Sequence, residues 1–121
     1  MKPKDKKMMD VQRVMRDPII FKKKIEERPF DDLDNYVSYK IVYGEINSYR
    51  SRIVNQARAE NTKEYIVAII RYRTDLDETL KMEIKDKDYQ IESIIPLNNE
   101  KLFLEVTGFR YKNDMSGDFN G

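Results

Sequence analysis

The chain has 121 residues, 40% of them hydrophobic and 37% charged, with a formal net charge of +1; that is one small domain with little left for a second core. It contains no cysteine, histidine or tryptophan, which removes disulfides, thiol nucleophiles, thiolate metal sites, the commonest general base and the commonest transition-metal ligand. Any catalysis would rest on carboxylates and lysines, which argues against an enzyme. No uncharged run approaches the roughly 20 residues needed to cross a bilayer.

The charge is unevenly placed. Residues 1–30 carry ten Lys/Arg against five Asp/Glu, a balance of +5, and residues 31–121 carry thirteen against seventeen, a balance of −4. Residues 1–18 read as a basic N-terminal arm with a weak helical signal, Met8, Val11 and Met15 recurring at i, i+3 and i+7. A basic arm on a mildly acidic body can touch nucleic acid or a neighbour's acidic surface, or remain a solvated tail. No apolar stretch or cleavage site makes it a secretory signal, and the absence of cysteine leads to the expectation of synthesis in the cytoplasm.

The segment "IIFKKKIEERP" (19–29) predicts a strand whose lysine triplet, Lys22 to Lys24, requires an edge or half-exposed position. "FDDLDN" (30–35) is an acidic turn-rich loop. In "YVSYKIVYGEI" (36–46), Val37, Tyr39, Ile41 and Tyr43 alternate with Ser38, Lys40 and Val42, the period of a half-buried strand. Gly44 inside it suggests a bulge or sharp bend. "NSYRSRIVNQARAEN" (47–61) predicts the one helix of the body, capped by Asn47 or Ser48, with Tyr49, Ile53 and Ala57 sharing a face.

"YIVAIIRYR" (65–73) is the most hydrophobic run, and its β-branched residues favour a strand. Residues 65–70 are apolar in both alternating phases, as in a barrel wall covered outside by a helix or a neighbouring subunit. Arg71 and Arg73 fall on one face and Tyr72 on the other, toward the interior. "TDLDE" (74–78) is a turn. "TLKMEIKD" should turn Leu80, Met82 and Ile84 inward, and "KDKD" reads as a hairpin connection. "YQIESII" (89–95) and "KLFLEVTGF" (101–109) complete the strands, and residues 111–121 form a frayed tail. Short strands at regular spacing predict a small antiparallel β-barrel or sandwich spanning 19–110, with one short helix.

Asp75, Asp77 and Glu78 could in principle hold a hard cation, but they lack calcium-loop spacing and Asp is a common turn residue. Tyr72 with Arg71, Arg73 and the N-terminal lysines could form an OB-like single-stranded nucleic-acid grip, although tyrosines alternating with aliphatics are also ordinary packing.

Taken in order, "FKKKIEE", "YGEI", "NSYRSRIVNQARAE", "IIRYRTDLDE", "YQIESII" and "LFLEVTG" make residues 21–109 resemble the phage head–tail joining proteins, the head-closure or connector-adaptor family of long-tailed phages. The resemblance implies a structural virion protein of the neck, made in the host bacterial cytoplasm. It implies a homo-oligomeric ring, expected to be dodecameric in the particle. The partners would be a portal or adaptor protein above and a tail terminator or other tail protein below, with packaged double-stranded DNA passing through the channel. No enzyme activity, cofactor, metal or membrane is implied. Within that picture 44–61, with Tyr49, Arg50, Arg52, Asn55, Gln56 and Arg58, is expected to face the channel or a neighbouring subunit. Arg71, Arg73, Asp75 and Asp77 are expected at a subunit contact, where heterologous ring symmetry brings opposite sides of one subunit together.

Overall fold

The structure, a computed structural model, describes residues 14–25, 36–58 and 62–112. The expected arm helix (apart from Met15), the "FDDLDN" loop and the tail from residue 113 lie outside them. Six strands, β1 (Asp17–Lys24), β2 (Tyr36–Ile46), β3 (Lys63–Arg71), β4 (Lys81–Ile84), β5 (Lys87–Pro96) and β6 (Phe103–Tyr111), form the body with one helix, α1 (Ser48–Arg58). A 3-10 turn, Leu97–Asn99, joins β5 to β6. The strands close into an antiparallel barrel in the order β1-β2-β3-β6-β5-β4. Among the described residues no helix is long and apolar enough to cross a membrane.

Alternation along the strands builds the barrel interior. Ile19, Phe21, Val42, Ala68, Ile70, Leu80, Met82, Ile84, Tyr89, Ile91, Leu104 and Val106 form one buried cluster, with Leu76 packed against it. The inward set of β4 is as the sequence predicts. β1 is shorter than the 19–29 expected and ends at Lys24. It is also not an edge, because Ile20, Phe21 and Lys22 pair with β4 residues Glu83, Met82 and Lys81 to shut the barrel. Its lysines are tolerated because they point outward: Lys22 Nζ meets Glu83 at 2.9 Å and Asp88 at 3.0 Å.

The apolar phase of β2 is the opposite of a buried row. Val42 and Gly44 are buried, whereas Val37, Tyr39, Ile41 and Tyr43 are 48%, 39%, 60% and 58% exposed. Register explains this. Ile19 faces Val42 across β1–β2, and Ile20 faces Ile41, and cross-strand partners share a face. With Ile19 and Phe21 filling the narrow interior, a further row bearing two tyrosines has no room there. Gly44 carries no bulge; the register shift lies at Phe21/Lys22, which face Lys40 and Ser38 and leave Tyr39 unpaired.

β3 is covered on both sides, as its sequence requires, and the outer cover belongs to its own chain. Val67, Ile69, Leu97 and Phe103 form a second buried cluster with Val54 of α1 and Met15 packed on it. The face of α1 that docks is not Tyr49–Ile53–Ala57. Tyr49 and Ile53 are 64% and 42% exposed, and Ala57 is exposed too. The residues turned to β3 are Ser51, Val54 and Asn55.

The reason is a hydrogen-bond requirement. β2 pairs with β3 only at Glu45↔Ile69 and Ile46↔Ala68, so the edge of β3 away from β6 at Tyr65 and Val67 has no described strand beside it. Side chains of α1 and the backbone N–H of Asn47 take the missing strand's place. The Tyr65 N–H donates to Asn55 Oδ1 at 2.8 Å, and Asn55 Nδ2 donates to the Tyr65 carbonyl at 3.0 Å. The Val67 N–H donates to Ser51 Oγ at 2.9 Å, and the Asn47 N–H donates to the Val67 carbonyl at 2.9 Å. Buried backbone groups need such partners, and the need outranks burying Tyr49. Replacing Asn55 by alanine is therefore expected to destabilise by about 1–2 kcal/mol, since a stranded donor and acceptor each carry a desolvation penalty. Faster amide exchange at Tyr65 with the barrel core still protected would show it.

Candidate functional site

The residues singled out from the sequence fall into two separate groups. On α1, the backbone N–H of Arg50 donates to Asn47 Oδ1 at 2.9 Å, so Asn47 caps the helix. Arg50 Nη1 then reaches Glu105 of β6 at 2.9 Å, and Arg58 Nη2 reaches Glu92 of β5 at 2.9 Å. The Arg58 guanidinium also lies 5.3 Å from the Tyr65 ring centroid. With Asn55 holding β3, these three side chains strap the helix to the barrel. What α1 presents outward is Tyr49, Arg52, Ile53 and Gln56, with the Arg52 guanidinium 5.6 Å from the Tyr49 ring.

The second group lies where β3 ends. The Arg71 guanidinium is 5.9 Å from the Phe103 ring. Arg73 grips Asp75 bidentately, Nε to Oδ1 at 2.6 Å and Nη2 to Oδ2 at 2.8 Å. Lys40 of β2 meets the same carboxylate at 3.1 Å, and Tyr39 Oη approaches the Asp75 carbonyl at 3.4 Å. Asp77 is used locally, accepting from the Thr79 N–H at 2.9 Å and from its hydroxyl. Both aspartates thus hold the β3–β4 connection in shape. Tyr72 is not turned inward as expected: it is 36% exposed, and its N–H donates to the Leu102 carbonyl at 3.0 Å.

The charges respond to these partners. The Arg73 guanidinium, with Lys40 behind it, holds the Asp75 carboxyl well below the usual carboxylate range. Asp77 is lowered by the hydroxyl and N–H of Thr79. A depressed carboxyl pKa contributes stability that is present above the unfolded value near pH 4 and is lost as pH falls through the folded value. The Asp75 carboxyl resonance should therefore stay ionised through about pH 4 in an NMR titration, and Arg73→Ala should move its midpoint upward. An unmoved midpoint would show that the guanidinium is not the cause.

No group of three acidic side chains among the described residues is placed to hold a metal ion. Arg71, Tyr72 and Arg73 line one groove. The arginines are engaged by Phe103 and Asp75, and lysine ammonium groups already lie over Tyr39, Lys23 at 5.7 Å and Lys40 at 5.3 Å from its centroid.

Sequence reasoning missed two things: the exposed stripe Val37, Tyr39, Ile41 and Tyr43, and the structural use of Ser51 and Asn55. The signal available for the stripe was Gly44, whose phase matches Val42 and opposes the tyrosines; a buried glycine row leaves the other row outside. A family model described as phage head completion protein matches residues 14–108. No curated protein matches the chain.

Proposed function

The chain belongs to the phage head completion protein family, and on that premise we propose that it is a non-enzymatic ring subunit of the virion neck. The ring, a dodecamer in the particle, sits below the portal or adaptor protein. It continues and closes the channel for packaged double-stranded DNA and offers the tail its docking surface. The observation that carries this reading is that the closed barrel covers β3 with its own helix yet leaves two apolar faces outside. One is the β2 stripe; the other is Tyr49 and Ile53 on α1. Exposed apolar faces of this kind mark contacts with other proteins, and two different faces on one subunit suit a ring member that meets both its neighbours in the ring and other virion proteins.

In this proposal 44–61 faces the channel or an adjacent subunit through the outer side of α1, with Tyr49, Arg52 and Gln56 making the contact. Arg50, Asn55 and Arg58 keep the helix seated. Arg71 contributes at the subunit boundary, and the Arg73–Asp75 pair shapes the connection beside it. The arm, residues 1–18, docks on a partner. In infected cells, Tyr49→Asp with Ile53→Asp should leave the purified protein folded by circular dichroism while particles lose DNA or tails. Normal DNA retention and normal tail attachment in the double variant would overturn the proposal.

A further inference from the structure

β2 and β3 run together for two residue pairs and then part. On the β3 side, the exposed edge is answered by Asn47, Ser51 and Asn55. On the β2 side, no described strand pairs with residues 36–43 opposite β1. Backbone polar groups alternate between the two edges of a strand. Tyr65, Val67 and Ile69 point toward β2, so Glu45, opposite Ile69, points toward β3. By the same alternation Tyr43 and Ile41 also point their N–H and C=O groups into the gap. Pro18, which faces Tyr43 across β1–β2, has no N–H to give, in keeping with that orientation. No hydrogen bond from another described residue answers these groups.

The gap is a groove of ≈ 470 Å3 lined by Met15, Ile41, Val42, Tyr43, Arg71, Tyr72 and Arg73, within the size range of binding clefts. Its lining holds two arginines and no carboxylate. Arg73 is already neutralised by Asp75, whereas among the described residues Arg71 meets the Phe103 ring. Above it runs the apolar stripe of β2, with Lys23 and Lys40 alongside Tyr39.

We propose that this groove is a strand-addition site for an extended, acidic segment of another protein, apolar at alternate residues. The segment lies along β2 and exchanges backbone hydrogen bonds with Ile41 and Tyr43. One apolar side chain seats between Ile41, Tyr43 and Tyr72, and a carboxylate faces Arg71. Backbone pairing supplies affinity, and the alternate side chains supply specificity. The charge of the lining selects an acidic segment over a basic one. The site goes beyond ring formation, because it acts on a single folded subunit.

The test uses the full chain, isotopically labelled, and an octapeptide of alternating valine and glutamate. Two control peptides accompany it, one with lysine for glutamate and one N-methylated at alternate residues. The expected result is amide shift changes centred on residues 41–43 and 71–73, with binding weakened at least about tenfold by N-methylation, by lysine, or by Ile41→Asp. Four outcomes would overturn the proposal. They are no shift at millimolar peptide, shifts elsewhere on the barrel, equal binding of the N-methylated peptide, and occupation of the groove by oligothymidine instead. Concentration-dependent self-association that Ile41→Asp abolishes would also overturn it, by showing that a second copy fills the groove. The N-methylated arm does not depend on any variant folding. Because the assay needs no particle, its failure is distinct from failure of the ring proposal.

Discussion

Phe21→Ala is expected to cost about 3–5 kcal/mol, the range for removing a fully buried aromatic and leaving a cavity. Phe21 is completely buried and heads the fully buried side chains by volume. Its position makes a soft collapse of the site difficult. On one side its backbone pairs with Lys40 of β2, beside the register shift, and on the other with Met82 of β4. β1 is thus the stave that closes the barrel, and Phe21 fills the space at that seam. A net stability of about 5–15 kcal/mol for an ordinary domain leaves such a variant marginal. Urea denaturation is the measurement, and a loss below about 1 kcal/mol would mean that the interior repacks around the cavity.

Gly44→Ala should be the next most damaging single change, at about 1–3 kcal/mol, the usual range for overpacking. A Cβ there would lie 2.7 Å from the Ile69 carbonyl oxygen, 2.7 Å from Ile70 Cγ2 and 3.0 Å from Ile19 Cδ1. The first of these is backbone in the β2–β3 ladder, where Ile69 pairs with Glu45, so it cannot swing away as a side-chain tip would. Gly44 stands where β2 leaves β1 and meets β3, since Asp17↔Gly44 ends one ladder and Glu45↔Ile69 begins the other. Crowding that junction should widen the β2–β3 gap as well as lower stability. Gly108 offers an internal comparison. Its Cβ would come 2.5 Å from Met82 Cε, the far end of a flexible side chain, and its nearest backbone atom, the Gln90 carbonyl oxygen, would be 3.1 Å away rather than 2.7 Å, so Gly108→Ala should be the milder substitution. Thermal melts of the two variants side by side decide the order, and a reversed order would refute the argument about backbone rigidity.

Both expectations concern the body, whereas the surfaces proposed for assembly are expected to tolerate change. Tyr49, Ile53, Ile41 and Tyr43 contribute little to the interior, so substituting them separates folding from association. The same division holds for charge. Arg50, Arg58, Arg73 and Asp75 are spent on intramolecular pairs, while Arg52 and Arg71 keep guanidinium groups stacked on rings and facing outward. Exposed ion pairs of this kind contribute little energy singly. Their role is to seat α1 and the β3–β4 connection in one arrangement.

Among the described residues, periodicity by itself determined the six strands, the helix at 48–58 and the inward row of β4, because each depends on which neighbours in the chain share a face. The two-sided apolar character of 65–70 likewise required an outer cover whatever the topology. The family resemblance was also legible, carried by the order of strand patterns from "FKKKIEE" to "LFLEVTG". Only the tertiary structure decided what that cover was and which row of β2 it left outside. The first depended on a β3 edge without a neighbouring described strand, which Ser51 and Asn55, on the polar face of the helix by sequence, were needed to satisfy. The second depended on register, since pairing with Ile19 and Phe21 placed Val42 and Gly44 inside and put Tyr39, Ile41 and Tyr43 on the surface. A period of two says that a strand has two faces. Which one meets the core is set by the strands beside it and by the volume they leave unfilled.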